Sequence, residues 1–297
     1  MNEYLDVEDA RPPYAAGGAV GQDPLVAGGP PYGSAGRKGQ RALWFGIAAA
    51  TAVVTIAAVG LPQIGWLAAQ TVTTTWSDHH AIASVEVYVT GGDLTVQPSA
   101  GGDEVSLRQT LTWTVNKPQI TETWQGGTLL INEDCAAPSF TVVNPCGASL
   151  VLTVPATVSV QSTLDSGSLQ VRGMTGSVNA RARSGDIDLE DDSGTLWARA
   201  DSGEIHGAGL ASQQATAQTL SGDVDLAFTS APTSVSASVA SGNVIVTVPH
   251  GATYRVSGQT SSGNRNVEQS IEDDSSSRTI TISSLSGDAL LSYAGDN

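Results

Sequence analysis

A Ser-Gly step recurs along the second half of this 297-residue chain at intervals close to twenty residues. The steps begin at Ser166, Ser184, Ser202, Ser221, Ser241, Ser262 and Ser286, and the interval between successive steps widens gradually towards the C-terminus. A repeat of this length is typical of a solenoid, in which each coil buries its apolar side against its neighbours.

Between Gly167 and Gly203 the period halves, because Gly176 and Gly194 stand midway between the glycines of the Ser-Gly steps. Apolar residues stand two and four positions after most of these glycines, as Leu169 and Val171 do after Gly167. Alternation with a period of two is typical of β-strands that have one buried face. The sequence therefore predicts an all-β, single-chain β-solenoid over residues 82–297, with about 18–21 residues per coil.

The glycines of the Ser-Gly steps are predicted to form the corners of the coils. Glycine adopts the positive φ of a tight corner without steric cost, and a neighbouring Ser or Asp can bond to exposed backbone there. The predicted corner glycines are Gly167, Gly185, Gly203, Gly222, Gly242, Gly263 and Gly287.

Two longer segments share a Val-Pro start, VPATVSVQSTLDSGSLQV from Val154 and VPHGATYRVSGQTSSGNRNV from Val248. With SGDIDL at Ser184 and SGDVDL at Ser221, they resemble the bacterial "putative adhesin" β-strand repeat family, which is related to the toastrack domains of envelope-stress proteins. The resemblance covers residues 82–297. It implies a β-solenoid at the bacterial cell envelope with an adhesion role, and it brings no catalytic residues.

A long apolar segment precedes the repeats. Ala42 to Leu61 carry no charge, and a run of this length spans about 30 Å of hydrocarbon as a helix. Three cationic residues precede this run, and no Lys or Arg follows it until Arg108, so the positive-inside rule places the N-terminus in the cytoplasm. A cleaved signal peptide is the alternative, but its positive region is normally much shorter than the segment that precedes this run.

Four segments follow from this placement. Residues 1–41, rich in Gly and Pro, are expected to form a disordered cytoplasmic tail, and residues 42–63 a single transmembrane helix that acts as a signal-anchor. Residues 64–81 are expected to form a juxtamembrane connector, and residues 82–297 the extracytoplasmic domain. The predicted localisation is the cell membrane, with a single pass.

The formal net charge is −16, of which −15 lies beyond residue 63. Binding to a nucleic-acid backbone requires clustered Lys and Arg, so nucleic acid is not expected as a partner. The two cysteines, Cys135 and Cys146, are predicted to form a disulfide in an oxidising compartment. The four histidines do not have the spacing of zinc ligands.

Carboxylates are the main candidates for chemistry. Those considered as acid/base groups are Asp186, Asp188, Asp191, Asp192, Asp201, Glu204, Asp223 and Asp225. The coils are too short to build a substrate groove around them, and most corners lack the Asp of calcium-binding repeats. We therefore predict no catalytic residues, no cofactor and no metal, with a single hard-cation site near Asp186 to Asp192 as the open alternative.

The sequence leaves three functions open. The first is a non-catalytic, membrane-anchored interaction module that acts as an adhesin or surface-display domain. The second is an envelope-stress sensor or a regulator of a membrane signalling partner, and the third is a structural assembly protein. Expected partners are the membrane, through one helix, and an unknown protein or a cell-wall or surface ligand.

Overall fold

The computed structural model describes residues 69–100, 102–114, 116–135 and 146–295. The predicted tail over 1–41 and the predicted transmembrane helix over 42–63 lie outside the described residues. Within the described ranges, no helix has the length and apolar character of a membrane span.

The described residues form 22 strands. The first seven are β1 (Gln70–Asp78), β2 (Ser84–Val89), β3 (Gly92–Pro98), β4 (Val105–Trp113), β5 (Gln119–Gln125), β6 (Thr128–Asp134) and β7 (Cys146–Val154). The central repeats contain β8 (Ser159–Ser166), β9 (Leu169–Arg172), β10 (Val178–Ser184), β11 (Ile187–Glu190), β12 (Leu196–Ser202), β13 (Ile205–Leu210), β14 (Gln214–Ser221), β15 (Val224–Phe228), β16 (Ser234–Ser241) and β17 (Val244–Val248). The last five are β18 (Arg255–Ser257), β19 (Thr260–Ser262), β20 (Arg265–Val267), β21 (Thr279–Ser286) and β22 (Ala289–Tyr293).

The strands form two sheets around one hydrophobic core. Sheet A has the order β1-β4-β7-β3-β9-β11-β13-β15-β17-β22-β20. Sheet B has the order β18-β21-β16-β14-β12-β10-β8-β2-β6-β5, and β19 also pairs with β21. Each central coil gives one strand to each sheet, so the prediction of an all-β solenoid is confirmed.

Parallel pairing keeps the Ser-Gly corners in register. Ser166 lies opposite Ser184, and Ser184 opposite Ser202. Side chains alternate along each strand, so that Val244, Val246 and Val248 of β17 are buried while the residues between them are partly exposed. The period of two in the sequence therefore corresponds to an inner and an outer face on each sheet.

The inner faces differ in side-chain size. Sheet A contributes large residues such as Leu189 and Leu226, whereas the central strands of sheet B contribute alanines such as Ala180, Ala198 and Ala217. All of them belong to one continuous core. Small residues on one sheet leave room for large residues on the other, which lets the two sheets pack closely.

The sheet begins earlier than predicted. Strand β1 lies inside the expected connector over 64–81 and pairs antiparallel with β4 along its whole length. Its run of Thr, Val and Trp favours an extended strand, and Trp76 packs against the core. The solenoid therefore includes residues that the repeat itself does not cover.

The coils at both ends are not stacked in chain order. Ser286 of β21 lies opposite both Ser241 and Ser262, so the last coil in the chain sits inside the short strands β18 to β20. At the other end, the coil of β2 and β3 lies between that of β6 and β7 and that of β8 and β9. Antiparallel strands β4 and β5 then extend this end outward.

Candidate functional site

The seven predicted corner glycines have φ values between 113° and 141°. A side chain is excluded there by neighbouring backbone as well as by φ. A Cβ atom at Gly185 would lie 1.7 Å from the carbonyl oxygen of Gly167 in the adjacent coil. The corners therefore allow the coils to stack at backbone distance.

The side chain of the residue after a corner glycine can form a hydrogen bond with the backbone of a neighbouring coil. The Oδ1 atoms of four aspartates accept backbone N–H groups: Asp93 from Ser168 at 3.0 Å, Asp186 from Glu204 at 2.8 Å, Asp223 from Asn243 at 2.6 Å and Asp288 from Asn264 at 2.7 Å. Buried or crowded backbone donors need such partners. The SGD and SGN motifs are thus explained by structural hydrogen bonds between coils.

The candidate carboxylates of the sequence do not converge on one site. Asp186, Glu204 and Asp223 lie at the first corner of their coils, Asp191 and Asp192 between β11 and β12, Asp188 and Asp225 on the outer face of sheet A, and Asp201 on the outer face of sheet B. Among the described residues, no group of three or more His, Cys, Asp or Glu side chains is placed to hold a metal ion.

The outer face of sheet A is acidic at its centre. Asp188 and Glu190 of β11 and Asp225 of β15 point outward, and Asp225 lies 3.7 Å from the His206 ring. Partial burial raises the pKa of Asp188. The nearby His206 lowers this pKa, whereas the negative charges of Asp186 and Glu190 raise it further, and the net effect is an increase. The negative charge of this face agrees with the net charge of −16 of the whole chain.

The outer face of sheet B is different, because three arginines lie together on β10 and β12. We call Asp165, Arg181, Arg183, Trp197, Arg199 and Asp201 the arginine patch. These side chains line a shallow depression of about 340 Å³. Only nine Lys and Arg residues follow residue 63, so a third of the cationic side chains beyond that point are concentrated here.

Register brings the patch together. Arg181 lies directly opposite Arg199 on the neighbouring strand, and its guanidinium carbon is 4.7 Å from the centre of the Trp197 ring. Arg183 forms an ion pair with Asp165 at 3.3 Å, and Arg199 one with Asp201 at 3.5 Å. Such an arrangement presents three guanidinium groups that can form hydrogen bonds with a planar anion.

Comparison with protein families identifies the fold. The family model described as Toastrack DUF4097 matches residues 70–292, which is more than half of the chain. The chain belongs to this toastrack family. No curated protein sequence matches it.

Three solved structures resemble the toastrack domain of this chain. A "putative cell adhesion protein" from Clostridium sporogenes is 10% identical with a TM-score of 0.34, and the match covers 76% of this chain and 100% of that protein. A "putative adhesin" from Bacteroides fragilis is 12% identical with a TM-score of 0.40, covering 75% and 97%. A "putative lipid binding protein" from Parabacteroides distasonis is 14% identical with a TM-score of 0.29, covering 75% and 96%. Similarity at this level does not assign a ligand to the present chain.

Two carboxylates of the toastrack domain, Glu133 and Asp192, are fully buried. Asp192 accepts the Met174 backbone N–H at 2.7 Å through Oδ1, whereas its Oδ2 has no hydrogen-bond partner in the described part of the chain. Burial raises the pKa of Asp192 to about 7, against the effect of the Met174 hydrogen bond. Because its side chain does not reach solvent, Asp192 cannot act on a ligand from outside.

The predicted disulfide is present between Cys135 and Cys146. It links the residue after β6, in sheet B, to the first residue of β7, in sheet A. The two cysteines lie at an end of the solenoid and the arginine patch lies on its central coils. The disulfide is therefore a structural link and not part of the candidate site.

The sequence reasoning missed the arginine patch. Its members are dispersed along the chain, and isolated charged residues in strands normally indicate only a solvated face. The signal was nevertheless available, because Arg181 and Arg199 are one coil period apart in the sequence, as are Asp165 and Arg183. Residues that are one coil period apart in the sequence lie side by side on adjacent strands, so a comparison of charged positions at this interval would have predicted the patch.

Proposed function

We propose that this protein is a non-catalytic, membrane-anchored interaction module whose toastrack domain acts outside the cytoplasm as an adhesin or surface-display domain. The observation that carries the proposal is the arginine patch on the outer face of sheet B. A stack of short coils presents a broad, regular face on which side chains of adjacent coils can contact an extended partner. The partner is a cell-wall polymer or a surface protein.

The proposed localisation rests on the sequence of the segment 1–63 and on the disulfide. Arg37, Lys38 and Arg41 precede the apolar run and favour a cytoplasmic N-terminus. Disulfides persist in oxidising compartments, so the Cys135–Cys146 bond supports placement of the domain outside the cytoplasm. Attachment to the membrane would occur through one helix over residues 42–63.

Topology can be tested with one epitope tag at each end of the full chain. Protease added to intact cells, after removal of any outer permeability barrier, should remove the C-terminal tag and spare the N-terminal tag. Permeabilised cells should lose both tags, which serves as the control. Protection of the C-terminal tag in intact cells would rule out an extracytoplasmic domain.

Function can be tested by capture of envelope material from membranes. We expect the full chain and a variant lacking residues 1–36 to recover the same material, and Arg181→Gln to recover less. The alternative, an envelope-stress sensor, predicts a membrane or cytoplasmic partner that is recovered only when the tail is present. That outcome would replace the display function with signalling.

A second candidate function, structural assembly, is supported by the edge of sheet A at β1. No other described strand pairs with its outer edge, and β1 has no strand of sheet B opposite it in the order of the two sheets. Exposed strand edges pair with strands of other chains. If β1 pairs with its own copy around Thr74, Val72 lies opposite Trp76 and Thr73 opposite Thr75.

A further inference from the structure

Arg181 differs from its neighbours in the patch. Arg183 and Arg199 each have a carboxylate within 4 Å, whereas no described carboxylate lies within this distance of Arg181. Its guanidinium is instead positioned over the Trp197 ring. A cation–π contact restricts the guanidinium and leaves its N–H groups available for an anion.

The patch also carries an electrostatic cost. Arg181 and Arg199 lie directly opposite each other on adjacent strands, and like charges in this position are destabilising. Proteins commonly retain such local conflicts at functional sites. An anionic group above β10 and β12 would offset this repulsion.

Acceptor groups interrupt the cations. Asp165 and Asp201 lie within the patch, and Tyr88 of β2 donates to Asp165 at 3.3 Å. Ionised carboxylates accept hydrogen bonds only. They would repel a partner that is anionic throughout, such as a polyphosphate chain or an anionic lipid surface, but they can accept hydrogen bonds from hydroxyl groups that lie between separated anions.

The size of the surface fits a polymer segment. A second shallow depression, lined by residues including Tyr88 and Gln161, borders the patch at Thr163. The strands β6, β2, β8, β10 and β12 that line the two depressions are consecutive in sheet B, so together they extend for about 19 Å at ordinary strand spacing. This surface combines aromatic, cationic and hydrogen-bonding side chains with the carboxylate of Glu86.

We propose that the arginine patch binds an acidic polysaccharide, in which carboxylate-bearing sugars contact the arginines and their hydroxyl groups donate to Asp165 and Asp201. This inference rests on the proposed function, because it assigns a ligand class to the same face. Arg181 provides the main contact with a carboxylate, and Trp197 positions Arg181.

The test measures binding of the full chain, purified in detergent, to three soluble polymers: polygalacturonate, neutral dextran and polyphosphate. We expect binding to polygalacturonate, no binding to dextran, and binding to polyphosphate that is weaker by about tenfold or more. Arg181→Gln should weaken polygalacturonate binding about tenfold, which corresponds to loss of one charge-assisted contact. Trp197→Leu should weaken it by a smaller factor.

Arg108→Gln is the matched control. Arg108 is exposed on β4 of sheet A, so this variant removes the same charge from the opposite sheet. It should bind polygalacturonate within about twofold of the unmodified chain. Both arginine variants should unfold at temperatures close to that of the unmodified chain, because each substituted arginine is exposed.

Several outcomes would overturn the inference. If polyphosphate bound as tightly as polygalacturonate, the patch would be a general polyanion site. If neutral dextran bound as tightly, the charge of the polymer would not determine binding. Absence of polygalacturonate binding, with envelope capture still dependent on Arg181, would reject the ligand class and leave the proposed function intact. If capture and binding are both unaffected by Arg181→Gln, the patch is not the ligand site and both proposals lose their support.

Discussion

At the scale of the residue, the corner glycines set the distance between coils. In Gly185→Ala, the new Cβ would lie 1.7 Å from the Gly167 carbonyl oxygen at a φ of 141°. Strain of the backbone and overpacking each cost about 1–3 kcal/mol, so we expect the free energy of unfolding to fall by about 2–6 kcal/mol. Urea denaturation followed by circular dichroism measures this change.

A substitution at Gly251 distinguishes backbone strain from overpacking. This glycine has a φ of 92°, but a Cβ there would have no atom within 4 Å. Gly251→Ala should therefore cost only the backbone strain, about 1–3 kcal/mol. If the two variants were equally destabilised, close contact between coils would not be the reason for glycine at the corners.

The buried carboxylate of Asp192 makes stability depend on pH. Its pKa is about 7 in the folded chain and near 3.8 when unfolded, so the folded state binds more protons between these values. The contribution of Asp192 to stability is therefore highest below pH 4 and falls as pH rises to 7. The Asn side chain of Asp192→Asn stays neutral at every pH. As pH rises from 4 to 7, the free energy of unfolding of this variant should therefore increase by about 3–4 kcal/mol relative to that of the unmodified chain.

Denaturation curves at pH 4, 5.5 and 7.5 test this prediction. At pH 4 the two proteins should have similar stabilities, because Asp192 is protonated in the folded state and about half protonated in the unfolded state. Asp134→Asn, at an exposed position on β6, serves as the control and should show no comparable gain. A stability difference between Asp192→Asn and the unmodified chain that is the same at every pH would contradict a titrating Asp192.

At the scale of the element, the disulfide connects the strands of the outermost parallel coil at the N-terminal end. Strands β6 and β7 are consecutive in the chain but belong to different sheets, and the Cys135–Cys146 bond joins them at a sequence separation of 11. Replacing both cysteines with serine should lower the free energy of unfolding by about 2–4 kcal/mol. Thermal unfolding of this double variant, beside the unmodified chain with and without a reductant, provides the measurement.

The reductant distinguishes the cause of this loss. It should destabilise the unmodified chain to the same extent as the double substitution, and it should leave the double variant unchanged. An effect of the reductant on the double variant would mean that the lost stability does not come from the cross-link.

The central strands were predictable because one repeating pattern marks both the corners of the coils and the buried positions of the strands. Gly167 and Gly185 mark corners, and the positions two and four places later, such as Ile187 and Leu189, are buried. The order of the terminal coils was not predictable in this way. Ser241, Ser262 and Ser286 have similar spacings, and a coil can stack on either neighbour with the same backbone hydrogen bonds, so the period carries no information about which coil lies outermost.

Strand β1 and the arginine patch were missed for related reasons. The strand has no Ser-Gly corner, and its place in the sheet comes from antiparallel pairing with β4, from which β2 and β3 separate it in the chain. The patch depends on neighbours that lie one or two coils apart in the chain and become adjacent only when the coil register is known. Both features come from contacts between coils rather than from the local pattern.

At the scale of the whole molecule, the two ends of the solenoid differ in how they limit further stacking. At the C-terminal end, the outermost strands β18 and β20 are very short, and short edges are poor templates for pairing. At the other end, β1 offers a much longer edge with one charged residue, Asp78, at its limit. The proposal of structural assembly therefore predicts association through β1, which would produce a closed pair rather than a filament.

A charge at the centre of β1 tests this association. In an antiparallel pair of copies around Thr74, the two Thr74 side chains are opposite each other, so Thr74→Lys would place like charges in contact and weaken pairing. We expect sedimentation velocity of the full chain in detergent to show a dimer that Thr74→Lys converts to monomer. Thr123→Lys, on the outermost strand β5 of sheet B, is the matched control and should remain dimeric. A chain that is monomeric before any substitution would exclude assembly through β1 and leave ligand binding by the arginine patch as the function that the two sheets support.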